Sequence, residues 1–300
     1  MKFDPGNDIP DLQGKTILVI GGTNGLGKET ILQLVKNNPA TIIFTGRSQV
    51  SADIVIEACT SISAVTTVHF VAVDLSSFPS ITSGLRRITT LAPRIDIVLC
   101  IAGQMTTPVS LTPAGHEILF AINHLSHALI LKHLIPTLQS GAGTAPQSPV
   151  RVVLYASEAA EIPGISIDFD KLKTEAEGSW IDVWRRYGRS KLANILYTKA
   201  LARRYPEITF ASVHPGVSWT GLVDSSSWSQ RMFIKATTFW SAVGPDEAAW
   251  NGMWAATASD VESGIYYKPV GVKGPNDGKY GDEAVEEQLW DWTQKELVGW

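Results

Sequence analysis

Tyr187 and Lys191 stand four residues apart in a stretch whose apolar residues recur at helical spacing, so both side chains share one helical face. A tyrosine with an ordinary pKa of about 10 is a poor proton shuttle at neutral pH, whereas a neighbouring ammonium favours its phenolate. The pair is therefore suited to passing a proton to or from a substrate oxygen; the same spacing also suits an ordinary amphipathic helix. Ser157 follows an apolar run, at the edge where open α/β sheets bind ligands, and either holds that oxygen or caps a helix. Asn123 falls in the helical segment NHLSH, where an amide is disfavoured, so it either anchors a water or is an exposed polar position.

A second group suits a phosphate-bearing ligand. Gly21, Gly25 and Gly27 lie between a β-branched run, KTILVI, and a helical pattern. Missing side chains there let backbone approach a pyrophosphate, and the helix N-terminus supplies N–H donors and a favourable dipole; a purely structural turn is the alternative. Arg47 directly follows the next apolar run, where dinucleotide-binding folds place an acid for the ribose 2′-hydroxyl; an arginine there either pairs with a 2′-phosphate instead or is a solvated surface charge. No Asp or Glu stands at Thr45, Gly46 or Ser48. Asp74 ends the third apolar run and either accepts from an adenine amino group or caps the next helix.

These residues need a scaffold, and the chain alternates short apolar runs with helical patterns. The runs are Lys15 to Ile20, Thr41 to Thr45, Val68 to Val73, Ile95 to Cys100, Val150 to Tyr155 and Ile208 to Val213. Being apolar throughout, they read as strands of a mostly parallel sheet covered by helices on both faces. Helical periodicity is clearest from Pro113 to Leu138 and from Trp184 to Arg204. The stretch Gly141 to Pro149 reads as a surface loop, so residues 1–300 are expected to form a single domain.

With 44% hydrophobic and 18% charged residues, the composition is that of a globular protein. A net charge of -4 offers no broad basic surface for nucleic acid. Cys59 and Cys100 form no CxxC pair and the six histidines show no HExxH spacing, so no metal is expected. The polar first fifteen residues lack the apolar region of a secretory signal, and no uninterrupted apolar run reaches about 18 residues. A cytoplasmic protein without a transmembrane segment is expected.

GGTNGLG, Asp74-Leu75, Ala102-Gly103, Asn123, Ser157, Tyr187-x-x-x-Lys191 and His214-Pro215-Gly216 occur in one order that resembles the short-chain dehydrogenase/reductase family, over about residues 14 to 268. GLGKET, NHLSHALI and YGRSKLANILYTKAL resemble its retinol-dehydrogenase-like and WW-domain-oxidoreductase-like members, and YYKPVG and LWDWT its fungal ones. The resemblance implies a doubly wound Rossmann-type sheet of order 3-2-1-4-5-6-7 and an NADP(H)-dependent oxidoreductase of ketones, aldehydes or alcohols. In that reading Tyr187 protonates the carbonyl oxygen, Ser157 positions it, Lys191 lowers the tyrosine pKa and contacts the nicotinamide ribose, and Asn123 holds a relay water. Gly21, Thr23, Asn24, Gly25, Leu26, Gly27, Arg47, Asp74, Leu75, Ala102 and Gly103 then bind cofactor together with Tyr187 and Lys191. Pro215, Gly216, Val217 and Thr220 complete its nicotinamide end.

The chain departs from the family pattern twice. Cys100-Ile101-Ala102-Gly103 replaces NNAG and so loses two asparagines, and Ile20 replaces a threonine that would tie the glycine turn to neighbouring strands. Ser157 and Tyr187 are 30 positions apart, with Phe169, Trp180 and Trp184 between them as a substrate wall within residues 158–186. Trp219, Trp228, Phe233, Phe239 and Trp240 suggest a second wall within residues 217–245, for a hydrophobic small molecule, in a context of fungal secondary metabolism; core packing explains some of these aromatics equally well. A non-redox isomerase or cyclase and a non-catalytic cofactor sensor remain alternatives. A homodimer or homotetramer would use the two long helices, unless the Trp-rich C-terminal region covers them.

Overall fold

A computed structural model describes residues 3–105, 109–144, 149–174, 180–216 and 244–300. Its strands are β1 (Thr16–Ile20), β2 (Thr41–Gly46), β3 (Thr67–Ala72), β4 (Ile97–Cys100), β5 (Arg151–Tyr155), β6 (Thr209–Val213), β7 (Ile265–Lys268) and β8 (Val272–Lys273). They form one sheet in the order β3-β2-β1-β4-β5-β6-β7-β8. The first seven are parallel, in the expected order, and β8 adds an antiparallel edge through Tyr267↔Lys273 and Lys268↔Val272.

The uniform apolarity of the strands follows from burial on both faces. In β1, Leu18 and Ile20 enter one core cluster while Ile17 and Val19 enter the other. β4 starts two residues later than its apolar run suggests. Asp96 lies just outside the ladder, its carboxylate accepting from Thr16 N (2.9 Å) and pairing with Arg94 (2.8 Å).

The helices that cover the sheet are α1 (Gly25–Leu34), α2 (Gln49–Ile62), α3 (Phe78–Leu91), α4 (Ser126–Thr144), α5 (Trp180–Arg204), α6 (Trp250–Thr257) and α7 (Glu283–Glu296). Ser48 and Ser77 cap α2 and α3 by accepting from Ser51 N and Ser80 N. α4 is preceded by a helical turn, Ile118–Phe120, and a π-turn, Ala121–Leu125. The helix expected from Pro113 therefore begins at Ile118, because Glu117 caps it with a non-helical backbone and accepts from Leu119 N and Phe120 N.

The stretch Ile118–Ala142 is long and apolar enough to cross a membrane by length and composition, which an uninterrupted apolar run in the sequence did not show; 83% of its most apolar window is buried inside the fold. α7 supplies part of that cover. Trp290 stacks on Tyr197 (centroids 5.3 Å apart), Trp292 meets Phe120 edge-on, and Glu286 and Glu287 pair with Arg203. The C-terminal region thus covers part of the outer face of α4 and α5.

Candidate active site

The turn between β1 and α1 is shaped by two glycines. Gly21 has φ +94, and a Cβ there would lie 2.6 Å from Ala102 Cβ; a Cβ on Gly27 would lie 2.0 Å from Gly21 O. The first helical turn can therefore press against the strand end. Gly21 N donates to Thr45 Oγ1 (3.2 Å) and Gly22 N to Thr45 O (2.9 Å). Thr45, on the neighbouring strand, thus provides the hydroxyl tie expected to be lost with Ile20. Asn24 occupies the N-cap of α1 but makes no side-chain cap bond, and Asn24 and Gly25 are exposed. An open N-terminus of this kind is suited to a phosphate. Thr23 packs against Gly46, and Leu26 is partly buried against the core. Gly27→Ala is expected to lose about 1–3 kcal/mol of stability, because the contact is with backbone that cannot rotate away; urea unfolding would measure it.

Arg47 is exposed just beyond β2. Of the two alternatives for Asp74, the helix cap is taken by Ser77. Asp74 Oδ1 accepts from Ser76 N (2.9 Å) and Ser76 Oγ (2.8 Å). Leu75 packs against the core. Ala102 N donates to Ile20 O (2.8 Å), and Ala102 O faces His127 Nε2 at 2.8 Å. His127 therefore braces the segment that lacks the two asparagines, and burial lowers its pKa to about 4.

Tyr187, Lys191, Ser157 and Asn123 converge beyond the C-terminal end of β5. Tyr187 is 8% exposed, and burial pushes its pKa up to about 12, opposed by a hydrogen bond with Ser157. Ser157 also accepts from Ala159 N (3.2 Å), so it caps a short helix while it meets the tyrosine. Lys191 Nζ lies 5.6 Å from the Tyr187 ring centroid and donates to Tyr155 O (2.8 Å). Burial lowers the Lys191 pKa to about 8. Lys191 thus lies beside the Tyr187 ring with its ammonium anchored to a main-chain carbonyl.

Asn123 is fully buried, which removes the exposed-position reading. Its Oδ1 accepts from Gln104 N (2.7 Å), and its Nδ2 donates to Gln104 O (2.8 Å) and Ser190 Oγ (2.9 Å). Both amide hydrogens are thereby used, and Oδ1 retains one acceptor site. Asn123 Oδ1 and Lys191 Nζ both face Gly103, 3.1 and 3.2 Å from where its Cβ would be.

Ser190 and Asn194 were missed in the sequence. Ser190 Oγ donates to Tyr187 O (2.7 Å), and Asn194 Nδ2 donates to Asn123 O (3.0 Å) and Tyr155 O (3.2 Å). The signal was present: Ser190 and Asn194 are polar residues one helical turn apart beside Lys191. Pro215 and Gly216 follow β6, with Gly216 at φ +95. Val217, Thr220 and the aromatic residues 219–240 lie outside the described residues, as does the side chain of Trp180. Of the remaining wall residues, Trp184 packs with Met105, Ile118, Leu119 and Ala159 around Tyr187. Phe169 packs toward Trp292 in the main core instead (centroids 6.1 Å apart).

The short chain dehydrogenase family model matches residues 15–167. An uncharacterized oxidoreductase of Schizosaccharomyces pombe is 31% identical over 96% of this chain and 86% of its own. Human retinol dehydrogenase 13 is 32% identical over 96% of this chain and 86% of its own. A crystal structure from Mycobacterium paratuberculosis shares the fold with TM-score 0.74 at 22% identity, covering 99% of this chain and 98% of that one. An open glycine turn, a doubly wound sheet and a converging tyrosine–serine–lysine group are thus found in a chain that belongs to the short-chain dehydrogenase/reductase family, in its retinol-dehydrogenase-like branch, as an oxidoreductase of CH–OH and C=O groups that uses a nicotinamide cofactor.

Proposed function

We propose that the protein is a single-domain, cytoplasmic NADP(H)-dependent enzyme that reduces a ketone or aldehyde of a hydrophobic small molecule, or oxidises the alcohol, in secondary metabolism. The observation that carries the reading is the meeting of Tyr187, Ser157 and Lys191 beside Gly103. The uncapped N-terminus of α1 and the close packing at Gly27 fit a pyrophosphate, and the exposed Arg47 fits a 2′-phosphate. When bound, the nicotinamide supplies the hydride.

The chain's own groups handle the oxygen and its proton. Ser157 Oγ donates to the carbonyl oxygen and fixes its position, and Tyr187 gives that oxygen its phenolic proton as negative charge develops. Lys191, its Nζ over the tyrosine ring, stabilises the resulting phenolate, and the acceptor site left on Asn123 Oδ1 leads toward Lys191 for reprotonation. Ile118, Leu119, Met105, Ala159 and Trp184 make the surroundings apolar, which favours a hydrophobic substrate.

Titration by nicotinamide fluorescence tests the cofactor. Arg47→Ala is expected to weaken NADPH binding about 10- to 100-fold, the worth of a charge-assisted contact, and to leave NADH nearly unchanged. Equal loss for both cofactors would remove the 2′-phosphate assignment. Sedimentation tests self-association: a dimer or tetramer would place the contact on what α7 leaves open of α4 and α5, and a monomer would remove it.

A further inference from the structure

One ion pair near the site is used by none of the chemistry above. Glu117 and Arg186 are 2% and 3% exposed, and their Oε1 and Nη1 are 2.7 Å apart. Glu117 precedes the π-turn that carries Asn123; Arg186 immediately precedes Tyr187. The same carboxylate accepts from Leu119 N (3.1 Å) and Phe120 N (2.8 Å), and Glu117 N donates to Leu172 O (2.8 Å). One residue thus ties the start of the Asn123 helix, the Tyr187 helix and the segment Phe169–Lys173. Leu119, held by this carboxylate, packs directly in the cluster around Tyr187.

Stability alone does not account for such a pair. Desolvating two charges offsets most of their attraction, and apolar residues of the same volume are often as good or better. Nor is this pair tuned for stability: Arg186 Nε and Nη2 are buried without a hydrogen-bond partner among the described residues. What a carboxylate–guanidinium pair supplies and an apolar contact does not is direction, since its hydrogen bonds hold only over a narrow range of distance and angle.

We propose that Glu117 and Arg186 form a positioning clamp that fixes the separation of the Asn123 and Tyr187 helices, and with it the angle at which Tyr187 and Ser157 meet the substrate oxygen. The proposal rests on the carbonyl–alcohol reading of this site. Neither residue touches the reacting atoms; both act through Tyr187.

Three variants test it: Glu117→Gln, Arg186→Met and the two combined. Each single variant strands a buried group and is expected to lower the Tm, whereas the combined variant, without a stranded charge, is expected to regain it. If the pair only supports the fold, activity returns with the Tm. If it is a clamp, the combined variant keeps the wild-type Tm and NADPH affinity while kcat on a carbonyl substrate remains about 100-fold low, the scale of a 1 Å misplacement. Amide hydrogen exchange over residues 184–191 then runs faster than in the wild type.

Recovery of kcat together with the Tm, or wild-type exchange over 184–191 in the combined variant, overturns the clamp. A wild-type protein that binds NADPH but turns over no member of a ketone and aldehyde panel overturns the functional reading. The exchange measurement decides the clamp in that case too, because it needs no substrate.

Discussion

Tyr187→Phe is expected to lower kcat for carbonyl reduction about 1,000-fold, within the range set by removing one positioned general acid, with NADPH affinity unchanged. The variant loses one oxygen, and the ring still fills its place among Met105, Leu119, Ala159 and Trp184, so the fold should survive. Direction of reaction supplies a second readout. With its pKa pushed up to about 12 by burial, Tyr187 holds its proton throughout the physiological range. Reduction, which needs the protonated phenol, should be nearly flat with pH as far as this group is concerned. Alcohol oxidation needs the phenolate and should rise as pH rises. Stopped-flow rates in both directions would check the pair of slopes; oxidation that falls as pH rises would remove Tyr187 as the proton-transfer group.

Lys191→Met is expected to abolish most turnover and yet stabilise the cofactor-free fold. Burial lowers the Lys191 pKa from 10.5 to about 8, so below pH 8 the folded chain carries an ammonium that it disfavours relative to the unfolded chain. That difference corresponds to about 3 kcal/mol, reduced by the lost bond to Tyr155 O, and leaves about 2 kcal/mol of stabilisation at pH 7. Asn194 still donates to that carbonyl at 3.2 Å. The sign with pH follows from the depressed pKa. Between pH 8 and 10.5 the unfolded chain binds more protons, so this lysine's contribution to stability improves as pH rises. The advantage of the methionine variant should therefore shrink across that window. Urea unfolding of both proteins from pH 7 to pH 10 would show it, and a constant difference would mean that the lysine is not held by burial. Loss of function with a gain in stability is the usual mark of a site that stores an unfavourable group for its chemistry.

Much of this was legible in the sequence because the pattern was local. Apolar runs gave six strands to within a residue or two at most ends, and the order of the first seven strands followed from the family resemblance. β8 was not legible: two exposed residues, Val272 and Lys273, carry no alternation to read. Tyr187 and Lys191 were legible because their spacing equals one helical turn. The partners of Lys191 and Asn123 were not, since Tyr155 and Gln104 become their neighbours only when β5, α5 and the π-turn come together. Phe169, offered as part of a substrate wall, packs toward Trp292, and Trp290 and Trp292 pack α7 against the rest of the molecule, the cover that the Trp-rich C-terminal region was expected to be able to give; composition does not distinguish such packing from ligand binding.

The position of α7 has a consequence for how the protein is made. His124, one residue from Asn123, contacts Thr293 across 169 positions of sequence, and Lys132 reaches Leu297 across 165. At a ribosomal rate of about 5–20 residues per second, the helix bearing Asn123 waits about 10–30 s between its own synthesis and the arrival of its cover. During that interval its apolar outer face is open to solvent, and nascent chains halted before residue 283 are the ones that chaperones should capture.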